Sequence, residues 1–484
     1  MPTERSDPGD DLVGPALDAL TAHAGVALEL GAVFEAAGHE LALVGGPVRD
    51  AFLGRLGDDL DLTTDARPER VLELVSRWAD AVWDVGIAFG TVGVRKGEHK
   101  LEITTYRAEA YDRDSRKPDV RYGESLADDL VRRDFTVNAM AVRLPSLELV
   151  DLHGGAADLR AGVIRTPGAP EDSFSDDPLR MMRAARFAST LGFVVAPEVV
   201  AAMTAMWGRL AIVSAERVRD ELVKLVLGAQ PRAGLALLVT TGLAELVLPE
   251  LPALALEVDE HHRHKDVYEH TLQVLERAID LETSHEPVSG PDFVLRFAAL
   301  MHDVGKPRTR RFEPDGRVSF HHHEMVGARM TRKRMQVLRF SNDQVDEVTQ
   351  LVELHLRFHG YGDGEWTDSA VRRYVRDAGD QLVRLHKLTR ADCTTRNRKK
   401  AERLARTYDE LEERIARLSE QEELAAIRPA LDGNRIMEIL GIPPGREVGA
   451  AYSFLLELRL DHGPMTEAEA EAELRTWWSI RPPT

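Results

Sequence analysis

The chain has 484 residues, of which 62 are Lys or Arg and 81 are Asp or Glu, so its formal net charge is −19 at pH 7. This acidic excess excludes a protein that coats nucleic acid non-specifically, because binding to phosphates needs a positive surface. The single cysteine, Cys393, excludes an internal disulfide framework and indicates a reducing compartment. An apolar content of 43% is typical of a globular protein, and at roughly 150 residues per domain the length predicts about three domains.

The apolar segments are too short or too interrupted to predict a membrane span. The first residues are polar and acidic, without the apolar core of a secretory signal. The most apolar stretch, 233–258, is broken by Glu245, by Glu250 and by prolines. The sequence therefore predicts a cytoplasmic protein with no membrane partner.

The pattern of elements changes along the chain. A leader and one Ala/Leu-rich helix are predicted over 1–37, followed by short β-rich segments with glycine turns. That mixture predicts an α+β domain, within which the charged, turn-rich segment 107–129 is predicted to be a mobile loop. After about residue 175 the periodicity is helical. The predicted domains are 38–165 (α+β), 166–250 (helical), 251–405 (helical) and 406–484 (helical tail).

Two carboxylates alternate with leucines in the segment DLDLTT. Asp59 and Asp61 lie on one face of the predicted strand, while the leucines point into the core. Paired carboxylate oxygens on a rigid strand suit Mg²⁺. Glu102, in the β-rich segment HKLEITTYR, supplies a third carboxylate that faces away from its apolar neighbours. A D-x-D triplet alone is more often a pair of surface charges, and an exposed strand charge is the alternative for Glu102.

A glycine turn lies upstream of the aspartates, in LVGGPVRD. Gly45 and Gly46 end a predicted strand, a helix begins at Pro47, and Arg49 is in its first turn. Glycines let the backbone approach a phosphate closely, and a guanidinium attracts it. This segment is therefore predicted to hold phosphate beside the metal site.

A glycine turn followed by D-x-D resembles the nucleotidyltransferase superfamily that includes DNA polymerase beta. The resemblance implies a polymerase-beta-like head in which Asp59, Asp61 and Glu102 are catalytic and in which Asp59 and Asp61 hold Mg²⁺. It also implies that a hydroxyl attacks the α-phosphorus of a nucleoside triphosphate, with two metals at the attacking and leaving oxygens.

Three further segments resemble class II tRNA nucleotidyltransferases and the related bacterial poly(A) polymerases. They are RRDFTVNAMA (132–141), DDPLRMMRAARFA (176–188) and the neck-like ERVRDELVKLVLG (216–228). The resemblance implies that Arg133 contacts the triphosphate. Asp134 and Asn138, four residues apart on one helical face, are expected to brace the nucleotide pocket.

The segment 176–188 also suggests how a base is selected. Asp177 and Arg180 are three residues apart at a helix start, which places an acceptor beside a donor. Cytosine and adenine each present an amine donor next to a ring-nitrogen acceptor, so this pair complements both and disfavours uracil and guanine. By resemblance, Arg183 and Arg186 hold phosphate or sugar groups; a basic helix face is the alternative.

A second metal site is predicted in the segment 251–405. FAALMHDVGKP places His302 and Asp303 at the end of an apolar helix that is stopped by glycine and proline. The segment resembles an HD-domain phosphohydrolase, in which such a pair joins another histidine and a distant aspartate to bind Mn, Ni, Co, Fe or Mg. The matching residues are His270, His302, Asp303 and, more loosely, Asp392, His323 and His355, with His321 and His322 as alternatives to His323.

The leading interpretation is a tRNA nucleotidyltransferase that adds CCA from CTP and ATP, with a polymerase-beta-like head, an all-α neck, an HD-type body and a helical tail. Poly(A) addition by the same machinery is the nearest alternative, and an HD phosphohydrolase with an RNA-binding head is a second. Basic stretches at 329–339 and 390–406 are either tRNA-backbone contacts or solvated helix faces.

Overall fold

The computed structural model describes residues 10–23, 25–83, 86–87, 90–110, 119–123, 125–256, 267–285, 290–314, 318–360, 366–394, 397–422 and 427–480. The chain divides into two compact units, Met1–Pro249 and Glu250–Thr484. The predicted α+β class is confirmed. In the part of the chain that is described, no single helix has the length and apolar character to cross a bilayer. One bent helix pair, Val13–Ala22 with Gly25–Ala36, passes that test by length and composition only when its halves are combined.

The strands are short and nearly all lie in the first unit. They are β1 (Leu41–Val44), β2 (Asp59–Thr64), β3 (Ala81–Trp83), β4 (Thr91–Lys96), β5 (His99–Thr105), β6 (Arg107–Ala110), β7 (Asp119–Tyr122), β8 (Met140–Leu144), β9 (Glu148–Asp151), β10 (Val163–Ile164), β11 (Val194–Val195), β12 (Arg311–Phe312) and β13 (Val318–Ser319).

The α-helices of the first unit are α1 (Asp10–His23), α2 (Gly25–Ala36), α3 (Gly46–Phe52), α4 (Pro68–Val75), α5 (Leu126–Val131), α6 (Gly155–Ala161), α7 (Pro170–Asp176), α8 (Leu179–Leu191), α9 (Pro197–Met206), α10 (Ala215–Val226), α11 (Pro231–Thr240) and α12 (Ala244–Val247). Those of the second unit are α13 (Val267–Ser284), α14 (Phe293–Met301), α15 (Lys306–Thr309), α16 (His323–Val337), α17 (Asn342–Leu354), α18 (Asp368–Ala378), α19 (Leu382–Asp392), α20 (Arg398–Glu422), α21 (Gly433–Leu440), α22 (Arg446–His462) and α23 (Glu467–Ser479). Short 3₁₀ turns are Thr136–Asn138, Trp207–Ile212, Pro252–Leu256, Arg357–Gly360 and Gly379–Gln381.

A seven-stranded mixed sheet organises the first unit, in the order β3-β4-β5-β2-β1-β8-β9. Strands β2 and β5 are parallel, and the other neighbouring pairs are antiparallel. Helix α2 packs closely on β8, since a Cβ added at Gly31 would lie 2.6 Å from Leu144 Cβ. Leu60 and Leu62 of β2 are buried in the sheet, which leaves the opposite face at this end of the strand to Asp59 and Asp61.

Two predictions about the first unit are wrong. A leader and one helix are expected over 1–37, but the described residues of that range form two helices, and α2 begins at Gly25, where a weak helix former favours a break. The loop expected over 107–129 contains β6 and β7, which pair antiparallel, followed by α5. Charged side chains do not prevent this pairing because the backbone hydrogen bonds are independent of side-chain polarity. Residues 111–118 and 124 of that prediction lie outside the described residues.

The neck is built on α8, which packs against α10 and α11. A Cβ added at Gly234 of α11 would lie 2.5 Å from the carbonyl oxygen of Ala185, so the two helices approach at backbone distance. The middle of α8 therefore has little freedom to shift against α11.

In the second unit, α13, α14, α17 and α19 pack together, and every residue of α14 is buried. The tail helices α21, α22 and α23 have their own apolar core, which includes Ile436, Leu455 and Leu474. Helix α20 runs continuously through residue 405, so the boundary expected there falls inside a helix.

Candidate active sites

The three head carboxylates lie on one face of two adjacent parallel strands. Asp61 of β2 pairs in register with Glu102 of β5, and Asp59 lies two residues before Asp61, so all three point the same way. Burial raises the pKa of Asp61, and although Arg133 opposes this shift, the negative charges of Glu102 and Asp59 add to it. Carboxylates that repel one another on a rigid sheet are a fitting donor set for Mg²⁺.

The glycine turn brings a guanidinium to these acids. Gly45 has a φ of 73°, and a Cβ there would lie 3.0 Å from Arg133 Nη1 and 3.8 Å from Asp61 Oδ2. Only glycine fits this backbone conformation and spacing without strain. Helix α3 begins at the next residue, Gly46, one residue before the predicted start at Pro47. The turn, Arg133 and the carboxylates therefore form one continuous surface.

A chain of hydrogen bonds connects the arginines around this surface. Arg49 donates from Nη1 to Asn138 Oδ1 at 2.7 Å, Asn138 donates from Nδ2 to Asp134 Oδ1 at 3.0 Å, and Arg183 donates from Nε to Asp134 Oδ2 at 2.7 Å. Asp134 is buried. Burial opposes its ionisation, but the charge of Arg183 and the bond from Asn138 lower its pKa to about 2. Asp134 and Asn138 meet across a single 3₁₀ turn, Thr136–Asn138, rather than along the predicted α-helical face, because the chain turns into β8 immediately afterwards.

Asp177 and Arg180 lie at the start of α8, but in this structure they have different partners. Asp177 Oδ1 accepts from the backbone N–H of Leu179 at 3.0 Å, and Oδ2 accepts from Arg217 Nη2 at 2.8 Å. Arg180 is buried and donates to Ser173 Oγ at 2.9 Å and to the carbonyl oxygen of Arg132. Six residues further along α8, Arg186 Nε lies 3.0 Å from Glu221 Oε2.

The second unit gathers the predicted histidines and aspartates from five places in the chain. His270 Nε2 lies 3.0 Å from Asp392 Oδ1, while Asp303 lies 3.2 Å from His302 Nε2 through Oδ2 and 3.2 Å from His323 Nε2 through Oδ1. The ligand atoms form two groups, each within 4.8 Å: His270, His302 and Asp392, and Asp303, His323 and His355. We refer to these six residues as the HD cluster.

The ring orientations fit a metal centre. The Nδ1 atoms of His302, His323 and His355 each lie 2.7 to 2.9 Å from a backbone carbonyl oxygen three residues earlier. Their Nε2 atoms are buried without a hydrogen-bond partner and are directed into the cluster. Metal-binding histidines characteristically have one ring nitrogen fixed in this way while the other faces the ion. His321 and His322 are exposed, so His323 is the member that the fold selects.

The comparisons with known proteins match the segments of the chain that carry the two candidate sites. The chain matches the family descriptions "Poly A polymerase head domain" over residues 41–165, "Probable RNA and SrmB- binding site of polymerase A" over 192–254 and "HD domain" over 267–397. It is 34% identical over 444 residues to an A-adding tRNA nucleotidyltransferase of Deinococcus radiodurans, an alignment that covers 90% of this chain and 95% of that protein. The chain belongs to the tRNA nucleotidyltransferase family.

Other members of the family align over different lengths. A CCA-adding enzyme of Levilactobacillus brevis is 45% identical over 210 residues, which is 43% of this nucleotidyltransferase and about half (52%) of that enzyme. The crystal structure of the Bacillus stearothermophilus CCA-adding enzyme in complex with CTP superposes with a TM-score of 0.62 at 25% identity, covering 98% of this chain and 99% of that one.

Sequence reasoning missed two buried carboxylates of the nucleotidyltransferase head and neck. Asp129 has its side chain fully buried and accepts from Arg132 Nη2 at 2.6 Å and from Arg133 Nη2 at 2.9 Å, so it orients the guanidinium beside Asp61. Glu221 of α10 forms an ion pair with Arg186. The i, i+3 and i, i+4 spacing of Asp129 from the two arginines was the available signal.

The two basic stretches are partly neutralised within the second unit. Arg334 pairs with Glu250, Arg390 pairs with Glu412, and Arg398 pairs with Glu402. Such pairing reduces the positive potential available to RNA, so the remaining exposed cations of these stretches are the relevant ones for a tRNA contact.

Proposed function

We propose that this nucleotidyltransferase adds the 3′-terminal CCA to tRNA, using CTP and ATP and releasing pyrophosphate. The observation that carries the proposal is the shared face of Asp59, Asp61 and Glu102 beside the Gly45 turn and Arg133. The similarity to a CCA-adding enzyme that was crystallised with CTP supports the choice of nucleotides. A tRNA substrate and a single cysteine favour the cytoplasm as the site of action.

In the reaction, the terminal 3′-hydroxyl oxygen of tRNA forms a bond to the α-phosphorus, and the bond from that phosphorus to the β-phosphate oxygen breaks. The hydroxyl proton passes to water, and the β-phosphate oxygen leaves as part of pyrophosphate. Asp59, Asp61 and Glu102 would hold Mg²⁺, which compensates the charge on the attacking and leaving oxygens. Arg133, fixed by Asp129, is placed to hold the triphosphate.

Asp177 and Arg180 can present a hydrogen-bonding edge to cytosine or adenine without giving up the contacts they already make. A carboxylate has about four lone-pair sites, and two acceptor directions of Asp177 are used by Leu179 and Arg217. A guanidinium has five N–H donors, so Arg180 can bond Ser173 and still donate to a base. These internal bonds would hold Asp177 and Arg180 in one orientation while C and A are added in turn.

Addition of A alone is a second candidate, favoured by the relative that is 34% identical and aligned over 95% of its length. One assay separates the candidates: transcripts that end before CCA, after the first C and after the second C, each offered labelled CTP or ATP. A CCA-adding enzyme extends all three and stops at A. An A-adding enzyme extends only the third, and a poly(A) polymerase continues past one A.

We also propose that the HD cluster hydrolyses phosphate esters at nucleotide or RNA ends. The cluster would hold one or two divalent ions, of which Mn, Ni, Co, Fe and Mg suit its donors, and such an ion would lower the pKa of water. For a 2′,3′-cyclic phosphate, the water oxygen bonds to phosphorus, one ring P–O bond opens, and the released oxygen takes a proton. For a monoester, the same attack releases phosphate and an alcohol.

His302→Ala tests the hydrolase proposal, with His321→Ala as the matched control because His321 is exposed and outside the cluster. Hydrolysis of 2′,3′-cyclic AMP and of 3′-AMP should be lost only in His302→Ala. The number of Mn²⁺ or Ni²⁺ ions bound per chain should fall in the same variant. Nucleotide addition should persist in both. Equal hydrolysis by the two variants would overturn the assignment.

A further inference from the structure

A small hairpin follows the HD cluster in the chain and differs in charge from the rest of the protein. Strands β12 and β13 pair antiparallel, with Phe312 opposite Val318. The segment 306–314 has four cationic residues and one acid, although the chain as a whole is strongly acidic. We call residues 306–314 with β13 the basic hairpin.

The basic hairpin exposes an aromatic ring among arginines. Phe312 has 72% of its surface exposed, whereas its register partner Val318 is buried. The guanidinium carbon of Arg310 lies 4.8 Å from the centre of the Phe312 ring. Arg308 and Arg311 are also exposed. An exposed aromatic ring stays in contact with water at a free-energy cost, so this arrangement suits a ligand that covers the ring and carries negative charge.

The base of the basic hairpin directly contacts the HD cluster. Lys306 Nζ lies 2.9 Å from Asp303 Oδ2 and 5.7 Å from the centre of the Phe320 ring. The carbonyl oxygen of Phe320 in turn lies 2.9 Å from His323 Nδ1. A Cβ at Gly305 would lie 2.1 Å from the carbonyl oxygen of His323, so the chain leaving the cluster and the chain returning to it pass side by side. The hairpin is therefore attached at the cluster by both of its ends.

We propose that the basic hairpin binds the nucleoside next to the phosphate that the HD cluster hydrolyses, with the base stacked on Phe312 and neighbouring phosphates held by Arg308 and Arg311. The proposal rests on the proposed hydrolase and deepens it by naming the residues that would recognise the nucleoside of the substrate. Every base has a π-face, so an aromatic ring flanked by cations is the common platform for single-stranded nucleic acid. A free phosphate would not need the ring, and a membrane surface would need a wider apolar area than one phenylalanine.

The test compares two monoesters of secondary alcohols that differ in the nucleoside: 3′-AMP and glycerol 2-phosphate. The full-length protein loaded with Mn²⁺ is assayed beside Phe312→Ala and Phe312→Trp. Ile480→Ala, which removes an equally exposed apolar side chain from the tail, is the control. The ratio of kcat/KM for 3′-AMP to that for glycerol 2-phosphate should fall about tenfold in Phe312→Ala, the range expected for one lost stacking contact. The ratio should be retained in Phe312→Trp and in Ile480→Ala.

An unchanged ratio in Phe312→Ala, or the same fall in Ile480→Ala, would overturn the role of the basic hairpin while leaving the hydrolase intact. Absence of hydrolysis of both esters and of 2′,3′-cyclic AMP with Mn²⁺, Ni²⁺ and Co²⁺ would instead overturn the hydrolase. In that case equilibrium dialysis with 3′-AMP tests separately whether the basic hairpin binds a nucleotide. Weaker binding to Phe312→Ala than to the parent supports it and equal binding refutes it, since binding by the head is common to both proteins.

Discussion

The buried carboxylate of Asp134 allows a quantitative test of the nucleotide pocket. It accepts from Arg183, from Asn138 and, at 2.8 Å, from the backbone N–H of Phe135. Lowering its pKa from 3.8 to about 2 corresponds to about 2 kcal/mol of stability at neutral pH. Because the folded-state pKa is depressed, this stability is present above pH 3.8 and is lost as the pH falls toward 2.

The substitution Asp134→Asn keeps the size of the side chain and removes its charge. At pH 7 it should reduce the free energy of unfolding by about 2 kcal/mol and leave the guanidinium of Arg183 with a weaker partner. The KM for both CTP and ATP should therefore rise, because Arg183 and the Asn138–Arg49 link lose their fixed orientation. Urea unfolding followed by circular dichroism gives the first quantity, and steady-state addition to tRNA gives the second.

The matched control is Asp220→Asn, since Asp220 is exposed and pairs with its neighbour Arg219 on the helix surface. Removing such a surface pair changes stability by about 0 to 1 kcal/mol. The reasoning is refuted if Asp134→Asn unfolds at the parental urea concentration, or if both aspartate variants lose stability equally. A stability loss without any change in KM would make Asp134 a structural residue only.

We expect three further outcomes, which concern Asp61, Asp177 and His386. Asp61→Asn should abolish nucleotide addition yet slightly raise the urea midpoint, because burial and like charges raise the pKa of Asp61 and so disfavour its ionised form in the folded state. Asp177→Ala should weaken the preference for C and A over U and G more than it weakens triphosphate binding, as kcat/KM for the four triphosphates will show. Burial lowers the pKa of His386 to about 4, so stability should decline by on the order of 3 kcal/mol as the pH falls from 6.5 to about 4. His386→Phe, which keeps the ring stacked on Tyr374, should flatten that decline in urea titrations at several pH values.

Local sequence patterns were sufficient for the parts of both sites that lie within one element. The alternation in DLDLTT predicts which face of β2 carries Asp59 and Asp61, and the apolar run before His302 predicts a helix that ends at the cluster. The α+β head and the family followed from the same short segments. In these cases the side-chain period of a single strand or helix determines the geometry, so no distant contact is needed.

Tertiary structure decided whatever depends on pairing between remote segments. It selected His323 over two adjacent histidines, gave Asp177 the partner Arg217, and buried Asp129 against two arginines. It also formed the β6–β7 hairpin from a segment whose charge had predicted a loop. A one-residue change of register exchanges a buried side chain for an exposed one, and a local pattern does not encode which distant backbone supplies the partner. The sequence therefore predicted which face of a single strand or helix carries the site residues, whereas the tertiary structure determined the contacts between elements.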